Sequence, residues 1–429
     1  MDIAVLFFLM GFCMILSVPI GIAIGISVAV CILFFSSLPL VIISQYCFTA
    51  IDSFPLLAIQ YFTLAGNLMG GSGISKRIVH FAESLVGFIT GGLAMVSVTA
   101  CMFFAAISGS GPATVSAIWS FMIPQMKEKN YGGPFAAALM AAAGSIGVII
   151  PPSIPFVLYA VITGASVSDM FLAGIFPGIM IGVSLMIVSY FIAKKRNFPV
   201  AIEKFSVMGV IRSFKYSFWA LLVPVIILGG IYGGIFTPTE AAVAGVAYAL
   251  VIGLFVHREL KWDSIYKAMQ ETVIVTGAGT FILGLSMSFA IYLTLAGIPT
   301  RIGEWIVSVG SSKFMLLLLI NIFLLIVGCF IDNISSMIIL TPIFLPVVER
   351  FGVDRIHFGL FLTVALATGF VTPPFGANLF VASTVSREKI DSIARNAIPF
   401  IIVMIINLFI FTYIPEISMF LVNLSRGMR

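Results

Sequence analysis

Charge is what this sequence has least of. Lys, Arg, Asp and Glu make up 9% of its 429 residues, against 61% hydrophobic, whereas an ordinary soluble domain is about a quarter charged. That composition excludes an ordinary soluble fold. The three histidines and the five cysteines (Cys13, Cys31, Cys47, Cys101 and Cys329) are scattered without ligand spacing. Neither a disulfide framework nor a metal cluster is expected from them. No G-x-x-x-x-G-K-[ST] stretch occurs, so no ATP-hydrolysing phosphate loop is expected and uphill work must draw on an ion gradient. The first apolar run follows "MD" with neither a basic leader nor a small-residue cleavage site, and reads as a retained helix. The net charge of +5 sits in short loops, which suits membrane orientation and not nucleic acid.

What the chain has in abundance is apolar runs of about 20 residues, the length that crosses a bilayer. The fold class is therefore all-α, polytopic and membrane-embedded. Two runs are interrupted: "AAAGSIGVIIPPSIPFVLYAV" (Ala141 to Val161) and "TGFVTPPFGANLFVAS" (Thr368 to Ser383) each carry a Pro-Pro pair. Proline lacks the amide hydrogen and clashes with the preceding turn, so each pair breaks a helix. In lipid the freed carbonyls are tolerated only inside protein or beside water.

The two pairs lie 222 residues apart (373 − 151). At the same shift Pro124 meets Pro346, Pro177 meets Pro399, Gly147 meets Gly369 and Thr114 meets Ser336. Weak internal symmetry of this kind marks transporters built from repeats. Residues 36–52 and 164–174 contain no Lys or Arg. Their counterparts, 257–270 and 386–396, carry Arg258, Lys261, Lys267, Arg387, Lys389 and Arg395. Because such cations collect on the cytoplasmic side, equivalent loops fall on opposite faces and the repeats are inverted. Lys194, Lys195, Arg196, Lys204, Arg212 and Lys215 give the strongest inside signal, and only the tail, with Arg426 and Arg429, argues otherwise. The expected division is N-terminal scaffold helices over 1–52, a first repeat over 53–193, a basic loop with a two-span hairpin over 194–270, and a second repeat over 271–425. Broken helices are expected at about 135–163 and 357–385.

Four stretches hold the candidate chemistry. "SGSGPATVSAIWSFMIPQM" (Ser108 to Met126) predicts a helix start capped by Ser110 or Thr114, with Pro112 near its first position. A helix start at membrane depth turns unpaired N–H groups and partial positive charge into the protein. "DNISSMIILTPIFLPV" (Asp332 to Val347) sets Asp332, Asn333, Ser335 and Ser336 at the same place in the second half, a row of oxygen atoms of the kind Na⁺ requires. Gly144, Ser145 and Gly147 precede one Pro-Pro break; Thr368, Gly369 and Thr372 precede the other. Unwound carbonyls at such breaks suit Na⁺, and half-helix N-termini suit anionic groups.

A bland reading stands beside each. Gly-Ser-Gly also serves close packing, and a lone hydroxyl also bonds its own backbone. Recurrence at equivalent places favours a cavity. Asp332 reads as an intramembrane acid, the alternative being a span end in water. Arg77 and Arg301 read as anchors of interfacial amphipathic helices, and His80, His257 and His357, near span ends, carry no proton relay. "GGIFTPTEAAVAG" (Gly233 to Gly245) predicts a capping box at Thr237 and Glu240, an architectural turn.

"AAISGSGPATVSAIWSFMIPQM", "GGIFTPTEAA", "CFIDNISSMIILTPIFLPVV" and "TGFVTPPFGANLFVAS", in that order, resemble the large membrane subunit of tripartite ATP-independent periplasmic (TRAP) transporters. The resemblance covers essentially the whole chain. It implies a multi-pass protein of the bacterial inner membrane that imports an organic acid such as sialic acid, a C4-dicarboxylate or a sugar acid. It also implies a periplasmic substrate-binding protein and Na⁺ as coupling ion, with no organic cofactor. Some members fuse the small membrane subunit to the large one; this chain begins at the large one, so a separate small subunit is expected.

The implied fold is of the elevator type, with re-entrant hairpins and broken helices. A first hairpin spans about 75–126 with its tip near 108–114, and the second tip lies near 332–336. Both Pro-Pro helices line the site between the tips. On that reading Ser108, Gly109, Ser110, Thr114, Pro151, Ser153 and Asn378 meet substrate. Ser110, Gly144, Ser145, Asp332, Asn333, Ser335, Ser336, Thr368, Gly369 and Thr372 meet Na⁺. The alternative is a stand-alone ion-coupled carboxylate or inorganic-anion permease, which would transport without a binding protein. No enzyme is expected, since no set of His, Cys, Asp or Glu meets within the spans. Paired oxygen-rich breaks suggest an occluding site and not a channel.

Overall fold

The computed structural model describes residues 2–16, 18–36, 38–202, 204–297, 312–373 and 376–428. Among these every regular element is a helix. Helices α1 (Asp2–Ile15) and α2 (Ile20–Phe35) pair with each other. Helices α3 (Val41–Ile51) and α4 (Leu56–Gly71) form one run bent by 55°, where Pro55 starts α4. The amphipathic α5 (Ile74–Val86) lies against α11 (Val207–Tyr232). Arg77 of α5 pairs with Glu259 at 2.8 Å, and its guanidinium covers the Tyr216 ring at 5.2 Å. It is an anchor at the edge of the bundle; Arg301 lies outside the described residues. His257 sits beside this anchor, its Nδ1 2.9 Å from the Ser72 carbonyl. Burial holds its imidazole below the usual histidine range.

The first repeat continues with α6 (Gly92–Ser108), α7 (Gly111–Glu128), α8 (Gly133–Gly144), a 3-10 turn at Ser145–Val148, α9 (Ile154–Thr163) and α10 (Val167–Arg196). The unwound stretch between α8 and α9 is the Pro151-Pro152 break. Ser153 restarts the helix as its cap. After α11, helix α12 (Pro238–Val251) opens with the capping box, Thr237 N–H donating to Glu240 Oε2 at 2.8 Å. Then come α13 (Trp262–Leu295), α14 (Lys313–Gly328), α15 (Asn333–Arg350), α16 (Arg355–Gly369), α17 (Ala377–Ser386), α18 (Ile390–Tyr413) and α19 (Pro415–Met428). Among the described residues six helices are long and apolar enough to cross a membrane, or seven if α3 and α4 count as one span.

The repeat is visible in the element bounds. Helices α7 and α15 start 222 apart (333 − 111), and so do α8 and α16 (355 − 133). The halves also interlock reciprocally: α9 packs on α15 while α17 packs on α7. Their inversion follows from which ends meet. The far end of α7 carries Lys127, 3.3 Å from Glu388, on the side where Arg196 bonds Asn396 at 3.3 Å. The far end of α15 carries Glu349, paired with Arg355 at 2.9 Å. Arg355 in turn donates to the Thr163 carbonyl at 2.8 Å, near the opposite end of α10. Equivalent helices thus leave the centre in opposite directions.

That geometry also accounts for the dissenting tail. Arg426 sits at the acidic end, 3.2 Å from Asp169 and 3.6 Å from Asp354. Paired with two carboxylates, it is a packing cation of α19. Arg429 lies outside the described residues.

Candidate functional site

Each tip is a helix start held at the centre of the bundle. At the first, Gly109 takes φ +63° to end α6, and Ser110 caps α7 by accepting from the Ala113 N–H. The Thr114 hydroxyl, the alternative cap, donates to the Ser110 carbonyl at 2.8 Å and bonds the Ser108 hydroxyl at 2.8 Å. The Ile154 N–H, at the start of α9, donates to the Gly109 carbonyl at 3.2 Å. At the second tip Asp332 caps α15, its Oδ2 accepting from the Ser335 N–H at 3.0 Å. Asp332 is exposed and lines the central cavity.

That cavity, about 660 Å³, is bounded by both tips on one side and by α4 and α13 on the other. Of the residues expected to meet substrate, Ser108, Gly109 and Ser110 line it; of those expected to meet Na⁺, Ser110, Asp332 and Asn333 do. Thr114, Pro151, Ser153 and Asn378 are buried behind its wall. Ser153 Oγ donates to the Val148 carbonyl at 2.6 Å. Asn378, from α17, reaches across the repeats to the Ala141 carbonyl at 3.0 Å and Ser145 Oγ at 3.1 Å. A side chain on Gly111 would come within 3.2 Å of Asn378 Oδ1 and 3.3 Å of the Gly144 carbonyl. These oxygens, with Ser145, form a small polar nest under the first tip.

Under the second tip Asn333, Ser335 and Ser336 are 1–2% exposed. The side-chain oxygens of all three lack any protein partner. A buried polar group left unpaired costs about 1–3 kcal/mol, so this cluster fits a cation or water that completes it. Thr368 and Thr372 donate to the carbonyls one turn back, Val364 at 2.8 Å and Thr368 at 2.9 Å. These bonds use the hydroxyl hydrogens and leave the oxygen lone pairs open. Gly369 is there for closeness: a Cβ would lie 2.3 Å from the Gly328 carbonyl carbon. Pro374 lies outside the described residues.

Sequence reasoning missed the opposite wall, to which Gln60, Thr63 and Asn67 of α4 and Glu271, Thr276 and Thr280 of α13 contribute. One signal was readable, since Glu271 is the sole charge between Lys267 and Arg301. The stripe of short polar residues was not, because Thr and Ser bond their own helix equally well. The lining reaches Ser120 along α7 but stops at Ile334 on α15. The cavity therefore extends toward the basic end. Such a space can hold a small polar molecule at two helix N-termini and release it on that side.

Comparison with known proteins places this geometry. Residues 6–417 match the family model described as the tripartite ATP-independent periplasmic transporter, DctM component. The chain is 44% identical to the isethionate TRAP transporter permease protein DctMQ of Oleidesulfovibrio alaskensis, over 97% of its own length and 66% of that protein's. It is 40% identical to the C4-dicarboxylate TRAP transporter large permease protein DctM of Pseudomonas aeruginosa, over 94% of each. With the sialic acid TRAP transporter large permease protein SiaM of Vibrio cholerae it shares 36%, over 90% of each. Among solved structures, the Alcanivorax borkumensis YdaH transporter covers 86% of each chain with a TM-score of 0.59 at 15% identity, a likeness of fold alone.

Proposed function

We propose, because the chain belongs to the DctM component family of tripartite ATP-independent periplasmic transporters, that it is the large subunit that carries an organic acid inward across the bacterial inner membrane. It is a transporter component and not an enzyme. The observation that carries the reading is the cavity held between two inverted, capped helix starts. Helix N-termini and their caps suit an anionic group, and the unpaired oxygens of Asn333, Ser335 and Ser336 suit Na⁺. A periplasmic binding protein delivers the acid, and a small membrane subunit completes the scaffold.

Na⁺ at the tips adds positive charge where the acid arrives, so each ligand tightens the other, and the linkage is reciprocal. Movement follows from the unlike walls. Helices α4 and α13 form the fixed side, bare where it meets the tip: a Cβ on Gly66 would lie 3.1 Å from Ser108 Cα. The tips and broken helices form the moving side, in an elevator sense.

The test is uptake of a radiolabelled acid into proteoliposomes holding both membrane subunits. Uptake is expected to need the binding protein and an inward Na⁺ gradient, with K⁺ inactive. Uptake without the binding protein would favour the stand-alone permease. Uptake indifferent to Na⁺ would sink the coupling assignment.

A further inference from the structure

We infer that the cavity takes a singly charged organic anion with a hydrogen-bond donor at its far end, and that Glu271 sets this choice. The inference rests on the transport reading above and narrows its substrate class. Among the described residues the charged groups lining the cavity are Asp332 and Glu271, both acids, and no Lys, Arg or His lines it. Asp332 is engaged as the cap of α15. Glu271 stands on α13 and lines the same cavity as both tips. It pairs with Lys267 at 3.9 Å, a side chain that is three-quarters exposed and not part of the lining.

An acid whose charged end sits at the tips meets helix N-termini, the caps and any bound Na⁺. Its other end then faces Glu271, with Gln60, Asn67, Thr276 and Thr280 on the same wall. A carboxylate only accepts hydrogen bonds, so Glu271 welcomes a hydroxyl or ammonium there. A second carboxylate at that end would meet a like charge with no lining cation to neutralise it. Building a repulsive group against the wrong ligand is one of the two ways a site discriminates. Like charges placed face to face are costly and so suppress the wrong ligand.

The experiment is a melting titration of the purified protein in NaCl with isethionate, a hydroxylated monoanion, against malate, a dianion, at neutral pH. Wild type is expected to half-saturate with isethionate at a concentration roughly tenfold below malate. Glu271→Gln, on a half-exposed side chain, should keep the unliganded melting temperature and bring the two acids within about twofold. Glu271→Lys should favour malate. Malate binding as well as isethionate in wild type, or an unchanged ratio in Glu271→Gln, overturns the inference. If Na⁺ still raises the melting temperature in that case, the transport reading survives. No response to Na⁺ or to either acid overturns both.

Discussion

The two tips occupy equivalent places in an inverted repeat, yet they are finished differently. At the first, the hydroxyls of Ser108 and Thr114 and the Ser110 carbonyl bond to one another, and the Gly109 carbonyl is tied to α9. At the second, Asn333, Ser335 and Ser336 are buried without protein partners. The amide is placed differently too. Position 111 is a glycine, and Asn378 from the other repeat lies against it. At its equivalent, position 333, the asparagine stands on the tip itself. One backbone plan thus yields a first tip whose own hydroxyls are paired, with the Asn378 side-chain oxygen left unpartnered beside it, and a second tip whose own amide and hydroxyls all lack protein partners. A buried polar group left unpaired is costly, and most of that cost falls at the second tip.

The largest expected effect tests what the tips share. Gly147 and Gly369 are repeat equivalents, and each lets a broken helix approach its own tip. A Cβ at 147 would lie 2.5 Å from Thr114 Oγ1 and 2.6 Å from the Ser110 carbonyl oxygen, and one at 369 would lie 2.3 Å from backbone carbon of Gly328. Gly369→Ala should cost on the order of 3 kcal/mol in thermal or urea unfolding, since backbone cannot yield. Gly147→Ala should cost a similar amount, because the Ser110 carbonyl it would meet is backbone too. Tolerance of alanine at either position would break the shared plan.

Next comes ion dependence. Na⁺ at a hundredfold excess over its dissociation constant should stabilise the protein by about 2.7 kcal/mol over matched KCl. Ser336→Ala should remove much of that rise, and Thr114→Ala little of it. A reversed order would show that the first tip carries the ion-dependent stability.

Asn333→Leu sharpens the contrast. Replacing an unpaired buried amide by an apolar group should leave stability in KCl unchanged or raise it by about 1 kcal/mol, while the response to Na⁺ disappears. A large loss in KCl would mean that the amide is already satisfied in the empty protein. The smallest effect concerns the caps: Ser110→Ala and Asp332→Ala should each lower stability in KCl by about 1 kcal/mol. Only the second should also weaken the response to Na⁺.

Much of this was legible in the chain. The Pro151-Pro152 break, the cap at Ser110 and the capping box at Thr237 and Glu240 lie where the sequence predicts, and helix starts repeat at the shift found from prolines. Loop charge predicted the inversion, and of the two dissenting tail cations Arg426 proved to be paired with acids. Less legible was the use of each polar side chain. Thr368 and Thr372 follow the same small-polar pattern as Ser335 and Ser336, yet the first two donate to their own helix. The wall lined by α4 and α13 was missed, although the lone charge of Glu271 stood in the sequence to be read.

By itself, the sequence determined the apolar lengths, the breaks, the caps and the two-fold repetition. Each of these depends on residues within a turn or two, or on a pattern that can be counted along the chain. Only the tertiary structure decided which oxygens stay unpaired, which wall Glu271 occupies and which tip Asn378 supports. Those outcomes depend on partners far apart in sequence: the bond between Asn378 and Ser145 spans 233 residues. A hydroxyl or amide carries no mark of whether such a partner will arrive.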